Sequence, residues 1–97
     1  MMNMVRRSRL EIYFDILDVI NKGTSKPTRI MYRTNLSWVT LKEMFDTLID
    51  GGFIMEQEEK NSQRYYITEK GKTALSYHLK SLDGLTKVNK FQRVLSR

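Results

Sequence analysis

Cysteine is absent from the 97 residues, which excludes a disulfide framework and a thiolate metal site. The single histidine, His78, cannot build a zinc or iron site by itself. No apolar run approaches the roughly 18 residues that a membrane-spanning helix needs. The start, MMNMVRRSR, is basic but has no apolar stretch behind it, so it does not read as a secretion signal. There is no glycine-rich phosphate loop. Nothing sets His78 against a particular serine and carboxylate, so no nucleophilic triad can be assembled. Internal repeats and low-complexity segments are missing as well. These absences leave one small domain with a modest core, no cofactor, no metal and no enzymatic machinery, in an intracellular, reducing setting. Six methionines look like a cofactor box only at a glance: three fall in the first four residues, and Met31, Met44 and Met55 fit core or edge positions.

What is present is positive charge. The net value is +6, and a basic balance favours a polyanionic partner. Arg6, Arg7 and Arg9 put +3 on residues 1–10. Eight basic and ten acidic side chains leave residues 11–70 at −2, and six cations against Asp83 leave 71–97 at +5. A local excess sits inside the middle segment, where Lys22, Lys26, Arg29 and Arg33 meet no acid.

The apolar spacing divides the chain. Ser8 and Glu11 form a reciprocal capping pair for a first helix. Leu10, Tyr13, Phe14, Leu17 and Ile20 share its inward face, Ile12, Ile16 and Val19 add a flanking stripe, and Gly23 ends it. Pro27 suits the first position of a short second helix, with Ile30 and Met31 inward and Arg29 and Arg33 one turn apart outside. Asn35-Leu36-Ser37 is a tight turn, with Leu36 plugging the core and Ser37 capping a third helix from Trp38 to Asp50. Leu41, Met44, Phe45 and Leu48 are that helix's core stripe, and Gly51-Gly52 ends it. Phe53-Ile54-Met55 and Arg64-Tyr65-Tyr66-Ile67 read as the arms of a β-hairpin around a turn between Glu58 and Ser62, with one of the two tyrosines in the core. Thr68 caps a fourth helix with Ala74, Leu75, Leu79 and Leu82 inward and His78 beside that stripe. Leu85, Val88, Phe91 and Leu95 form a second stripe beyond Asp83-Gly84. Either the helix kinks at Gly84 or the two stripes face different partners.

At about 100° per residue, Trp38 lies on the flank of the third helix's core stripe and Val39 lies almost opposite it. Glu43 and Asp46 are outward neighbours of Val39, and Thr40 and Lys42 occupy the shoulders. A valine held out to water at a helix start suits a recognition helix. Its methyls can meet a thymine methyl in a major groove, while Ser37, Thr40 and Lys42 supply hydrogen bonds. Lys26, Arg29 and Arg33 are then offered to phosphates.

Three helices followed by a hairpin make a winged helix-turn-helix. The stretches RSRLEIYFDILDVINKG, TRIMYRTNLSW, LIDGGFI and YYITEKGKTAL resemble the small archaeal winged-helix DNA-binding proteins, a group with predicted transcriptional regulators and a dimeric chromatin-associated branch. The likeness covers roughly residues 6–82, and ITEKGK after a hairpin is its most specific element. The resemblance implies DNA binding through the third helix, with the wing on a neighbouring groove or on phosphates. It also implies a long helix after the wing that pairs antiparallel with a second copy. That helix maps onto Leu75 to Leu95, where Gly84 interrupts it. The wing departs from the pattern: Glu56, Glu58 and Glu59 are repelled by phosphate. Either its tip stays off the DNA or only Lys60 and Arg64 touch it.

The expected fold is mainly α with a small β-hairpin, a winged helix-turn-helix with a C-terminal helical extension. Residues 1–7 form a basic tail, 8–82 the DNA-binding domain and 83–97 a dimerising extension. The expected function is sequence-preferring binding of double-stranded DNA by a homodimer that regulates transcription, cytoplasmic and nucleoid-associated, with no membrane partner. Lys26, Arg29, Arg33, Ser37, Trp38, Val39, Thr40, Lys42, Glu43, Lys60 and Arg64 are the expected DNA-binding positions, with Arg6, Arg7 and Arg9 as a possible minor-groove arm. Leu79, Leu82, Leu85, Val88, Phe91 and Leu95 are the expected dimer contacts. The alternatives are a chromatin-architectural protein with little sequence preference, or a protein-interaction module that uses the acidic wing and the Leu85–Leu95 stripe.

Overall fold

A computed structural model describes residues 7–81. Helix α1 (Arg9–Asn21) begins at Ser8, whose hydroxyl accepts from the Glu11 N–H (3.1 Å) while the Glu11 carboxylate accepts from the Ser8 N–H (2.8 Å). Each bond satisfies a backbone donor that the first turn leaves open, and such a cap stabilises a helix by about 1 kcal/mol. The hydrogen bond from the Ser8 N–H, with the Ser8 hydroxyl second, holds the Glu11 carboxyl below its ordinary pKa. The chain leaves α1 through Gly23, whose φ of 107° side-chain-bearing residues rarely adopt. Helix α2 (Pro27–Thr34) starts on its proline, since the missing N–H would have had no partner there. Asn35 ends it in the left-handed conformation (φ 57°, ψ 42°), and Ser37 caps α3 (Trp38–Asp50) through the Thr40 N–H (3.2 Å).

The core forms where the apolar faces meet. Ile16, Leu17 and Ile20 of α1 pack with Ile30 of α2 and with Leu41, Met44, Phe45 and Leu48 of α3. Strand β1 (Ile54–Glu59) pairs antiparallel with β2 (Ser62–Ile67), in a register that sets Ile54 opposite Ile67 and Glu59 opposite Ser62. Ile54 and Tyr65 point from this hairpin into the core, and the Tyr65 ring stacks on Phe45 with centroids 4.0 Å apart. The fourth helix, α4, occupies residues 69–81 of the described part and closes the core with Leu75. The sequence TEKG locks this corner. The Thr68 hydroxyl donates to the Gly52 carbonyl (2.6 Å) and accepts from the Gly71 N–H (3.1 Å), while Lys70 Nζ donates to the Gly51 carbonyl (2.7 Å).

Three local expectations change. Leu10, placed on the inward face of α1, is 60% exposed, whereas Ile16 of the flanking stripe is fully buried. The buried arc of α1 turns towards α2 and β2, which pack against it. Leu10 is left at the rim of an apolar hollow of about 150 Å³ walled also by Phe14, Leu48, Phe53 and Ala74. Leu79, expected inward, is half exposed. The inward place one turn after Leu75 goes to His78, whose ring stacks on Phe14 at 3.9 Å with 2° between the planes. The hairpin turn is tighter than the span from Glu58 to Ser62. It consists of Lys60 and Asn61 alone, both at positive φ (51° and 66°), as a two-residue connection between right-twisted strands demands. Leu82 and the extension 83–97, with Leu85, Val88, Phe91 and Leu95, lie outside the described residues, as does Arg6.

Candidate nucleic-acid interface

The surface in question is built from α2, its turn and the first turn of α3. Helix α2 buries Ile30 and Thr34, and the Thr34 hydroxyl donates to the Ile30 carbonyl (2.7 Å), which leaves no polar atom of the inward face without a partner. Facing inward with these two residues fixes what faces outward. Thr28, Arg29, Tyr32 and Arg33 are all exposed and line one shallow open groove. Lys26 stands exposed just before the helix. Among the described residues Lys26, Arg29, Arg33 and Lys42 enter no ion pair; the pairs that form are Arg7–Asp15, Lys22–Asp18 and Lys72–Glu69. The α2 cations are thus open to an external anion, with no acid between Asp18 and Glu43 to compete for them.

The Asn35–Ser37 turn carries the chain from α2 into α3, with exposed residues of both helices on either side of it in the chain. Leu36 is half-buried against the core, and its N–H donates to the Met31 carbonyl (3.2 Å). The register of α3 follows from its buried stripe, and Val39 emerges 71% exposed, Trp38 about half exposed, and Lys42 and Glu43 exposed. The two hydroxyls at this helix start are not equivalent. Ser37 accepts from the Thr40 N–H and donates its own hydrogen to Thr40 Oγ1 (3.0 Å), so it is engaged within the cap. Thr40 retains a hydroxyl hydrogen for an outside acceptor.

Two carboxylates of the wing are hydrogen-bonded within the hairpin. Of its three carboxylates, Glu56 accepts from the Tyr65 hydroxyl (3.0 Å) and Glu59 from the Tyr66 hydroxyl (2.6 Å). Burial, with the Glu56 hydrogen bond second, pushes the Tyr65 phenol up to about 12. The hydrogen bond to Glu59 raises that of Tyr66. Lys60 projects at the tip, exposed. Arg64 lies midway along β2, half-buried, where its Nη1 donates to Ser25 Oγ (3.3 Å) while the neighbouring Tyr65 N–H donates to the Ser25 carbonyl (3.0 Å). These two bonds tie the hairpin to the α1–α2 loop. The Arg64 Nε is buried with no partner among the described residues.

At the N-terminal side, Arg7 is drawn onto α1 by Asp15 (2.8 Å), and Arg9 donates to the Tyr13 hydroxyl (3.1 Å) with its guanidinium over that ring. Neither stands off the domain. Sequence reasoning passed over two features. Tyr32 shares the outer face of α2 with Arg29 and Arg33, and the three-residue spacing from Arg29 carries that information. The tyrosine–glutamate bonds of the wing had no such local signal, because strand register decides them.

Comparison with known proteins gives consistent results. The winged helix-turn-helix family profile matches residues 6–89. The uncharacterized protein MJ0287 of Methanocaldococcus jannaschii is 41% identical over 71 residues, which cover 73% of this chain and 69% of that one. A second uncharacterized protein of that organism, MJ0290, is 35% identical over 71 residues, but these span 32% of its length. Among solved structures, Sso10a-2, a DNA-binding protein from Sulfolobus solfataricus, superposes with a TM-score of 0.66 at 29% identity, covering 94% of this chain and 98% of that chain. FabT of Streptococcus pneumoniae, solved in complex with DNA, gives 0.68 at 18% identity over 84% of this chain and 63% of its own, a likeness of fold.

Proposed function

The chain belongs to the winged helix-turn-helix family, and from that premise we propose that it binds double-stranded DNA with a sequence preference and regulates transcription as a homodimer. The observation that carries this reading is the pairing of two exposed surfaces across the Asn35–Ser37 turn. One offers cations without internal partners, the other a valine and a threonine hydroxyl at a helix start. A helix N-terminus entering a major groove meets base edges, while the preceding helix crosses the phosphate backbone. Lys26, Arg29 and Arg33 contact phosphates and set affinity. Val39 packs on a thymine methyl, and Thr40 and Lys42 bond to base edges and set preference. Ser37, Trp38 and Glu43 border that contact. Lys60 is the wing residue that reaches a phosphate, while Arg64, bonded to Ser25, holds the wing's angle.

The homodimer brings two α3 helices into successive major grooves, about 34 Å apart. Its contacts are the half-exposed Leu79 together with Leu82, Leu85, Val88, Phe91 and Leu95. Arg6, Arg7 and Arg9 play the lesser part, since two of them rest on α1. No helix among the described residues is long and apolar enough to cross a membrane, and the protein acts in the cytoplasm on the nucleoid, without a cofactor or a catalytic step.

A second reading is a DNA-coating protein with little sequence preference. It is favoured by the exposed cations Lys26, Arg29 and Arg33, which suit the phosphates of any duplex whatever its sequence. Selection from random duplexes at physiological salt, with the oligomeric state measured alongside, decides between them. An enriched palindromic motif and a dimer support regulation. A specificity ratio near one supports the coat. No complex even at low salt rejects DNA binding and leaves a protein-interaction module.

A further inference from the structure

We infer that Tyr32 is a charge-neutral phosphate anchor, which grips one DNA phosphate through its hydroxyl between the guanidinium groups of Arg29 and Arg33. The inference rests on the reading of α2 as the helix that lies on the DNA backbone, and it assigns the contact that fixes register there.

Tyrosine is an amphipathic residue that folds normally use by burying the ring and bonding the hydroxyl. Three tyrosines of this domain do so in part or in full: Tyr13 accepts from Arg9, Tyr65 donates to Glu56 and Tyr66 donates to Glu59. Tyr32 does neither. It is 84% exposed, and its hydroxyl has no partner among the described residues. Its placement is not that of a scattered surface aromatic. Arg29 is three residues before it, Arg33 directly after it and Thr28 four before it, and these four side chains line a single groove. The opposite face of the same helix is fixed by the full burial of Ile30 and by Thr34, so the helix cannot roll to hide the ring.

The chemistry of the cluster matches a phosphodiester. Two guanidinium groups neutralise charge, and hydroxyls of Thr28 and Tyr32 donate to the anionic oxygens in a charge-assisted bond. The phenol differs from the arginines in one measurable respect. Arginine contact displaces condensed counterions and therefore steepens the dependence of affinity on salt, whereas a neutral donor adds affinity with no change in that slope. A phosphate contact made by Tyr32 also fixes the helix along the groove more narrowly than a long arginine does, because the ring has two rotatable bonds.

The test compares the full chain with Tyr32→Phe, Tyr32→Ala and Arg33→Ala, binding one duplex across a series of salt concentrations by fluorescence anisotropy. Tyr32 is on the surface, so all variants fold, which circular dichroism checks. Expected is an affinity about tenfold lower for Tyr32→Phe at every salt concentration, with the slope unchanged, from loss of one hydrogen bond to a charged group. Wild-type affinity for Tyr32→Phe overturns the inference. If Tyr32→Ala alone then weakens binding, the ring acts by packing and the anchor is rejected. A shallower slope for Tyr32→Phe rejects the neutral role. If Arg33→Ala lowers the slope while Tyr32→Phe is silent, only this inference fails. If the unmodified chain binds no duplex at low salt, the proposed function fails together with it.

Discussion

The carbonyl oxygen of Phe53 stands 2.1 Å from where a Cβ on Gly71 would lie. The first turn of α4 therefore docks on the backbone that leaves α3, at a distance only glycine allows. In an ordinary helix, replacing glycine by alanine stabilises by about 1 kcal/mol. Here the neighbour is backbone, held by Thr68 on both sides (its N–H donates to the Phe53 carbonyl at 3.1 Å), and cannot yield. Gly71→Ala is expected to destabilise by about 3 kcal/mol, measured by urea denaturation. Affinity for DNA per folded molecule stays as it was. A neutral or stabilising result contradicts the packing of this corner.

The most recognisable motif of the sequence, ITEKGK, thus explains a corner of the fold rather than a contact with a ligand. This division runs through the chain. The helices were legible because their cues are local: the Ser8–Glu11 pair, Pro27, the Ser37 cap and the stripe from Leu41 to Leu48 lie within a turn or two of the feature each specifies. From those positions alone Val39 follows as exposed. The wing was legible as a hairpin but its tyrosine–glutamate bonds were not, since Glu56 meets Tyr65 only once the strand register exists. Leu10 and Leu79 were misplaced for a related reason. Periodicity names the apolar face of a helix but not how far along it the neighbouring elements extend, and the inward place beside Leu75 went to an imidazole stacked on Phe14. Tyr32 lay within reach of the helical spacing, since it follows Arg29 by three residues on the outer face of α2.

Lys60 holds φ at 51° to make the two-residue turn. A side-chain-bearing residue in the left-handed region costs roughly 1–2 kcal/mol. Lys60→Gly removes that strain and, in the same step, the charge at the wing tip. Thermal denaturation is expected to show a gain of about 0.5–1 kcal/mol, because glycine's greater freedom in the unfolded chain offsets part of the relief. Salt titration of DNA binding reads the other half. A tip that touches one phosphate loses about 0.9 from the slope, and an unchanged slope places the tip off the duplex.

Tyr65 titrates at about 12 in the folded protein against about 10 in an unfolded chain. Its folded pKa is the higher one, so the native state holds the proton more tightly. The stabilisation is complete below pH 10 and is lost as pH rises from 10 to 12. Allowing for solvent screening, the loss is about 1–2 kcal/mol, and Tyr66, raised in the same direction by Glu59, adds to it. Denaturation curves across this range, with tyrosinate absorbance followed in parallel, measure the effect. Tyr65→Phe flattens the dependence while lowering stability at neutral pH, since the Glu56 carboxylate loses its donor. A wild-type profile in that variant assigns the alkaline loss to other groups.

Arg33 and Val39 lie on either side of the Asn35–Ser37 turn, one cationic and one apolar, both exposed. If the first meets phosphate and the second a base, their substitutions separate by kind of effect and not merely by size. Arg33→Ala is expected to weaken binding to every duplex alike and to reduce the slope of log affinity against log salt by about 0.9, the share of one phosphate contact. Val39→Ala leaves the slope alone and redistributes affinity among sequences, because a lost methyl contact with thymine is felt only where a thymine was read. Competition between a selected site and random DNA measures the second effect, and a salt series measures the first. Should Arg33→Ala keep the slope, α2 does not lie on the backbone. Should Val39→Ala weaken all sequences equally, α3 does not read bases, and the coating role becomes the better account.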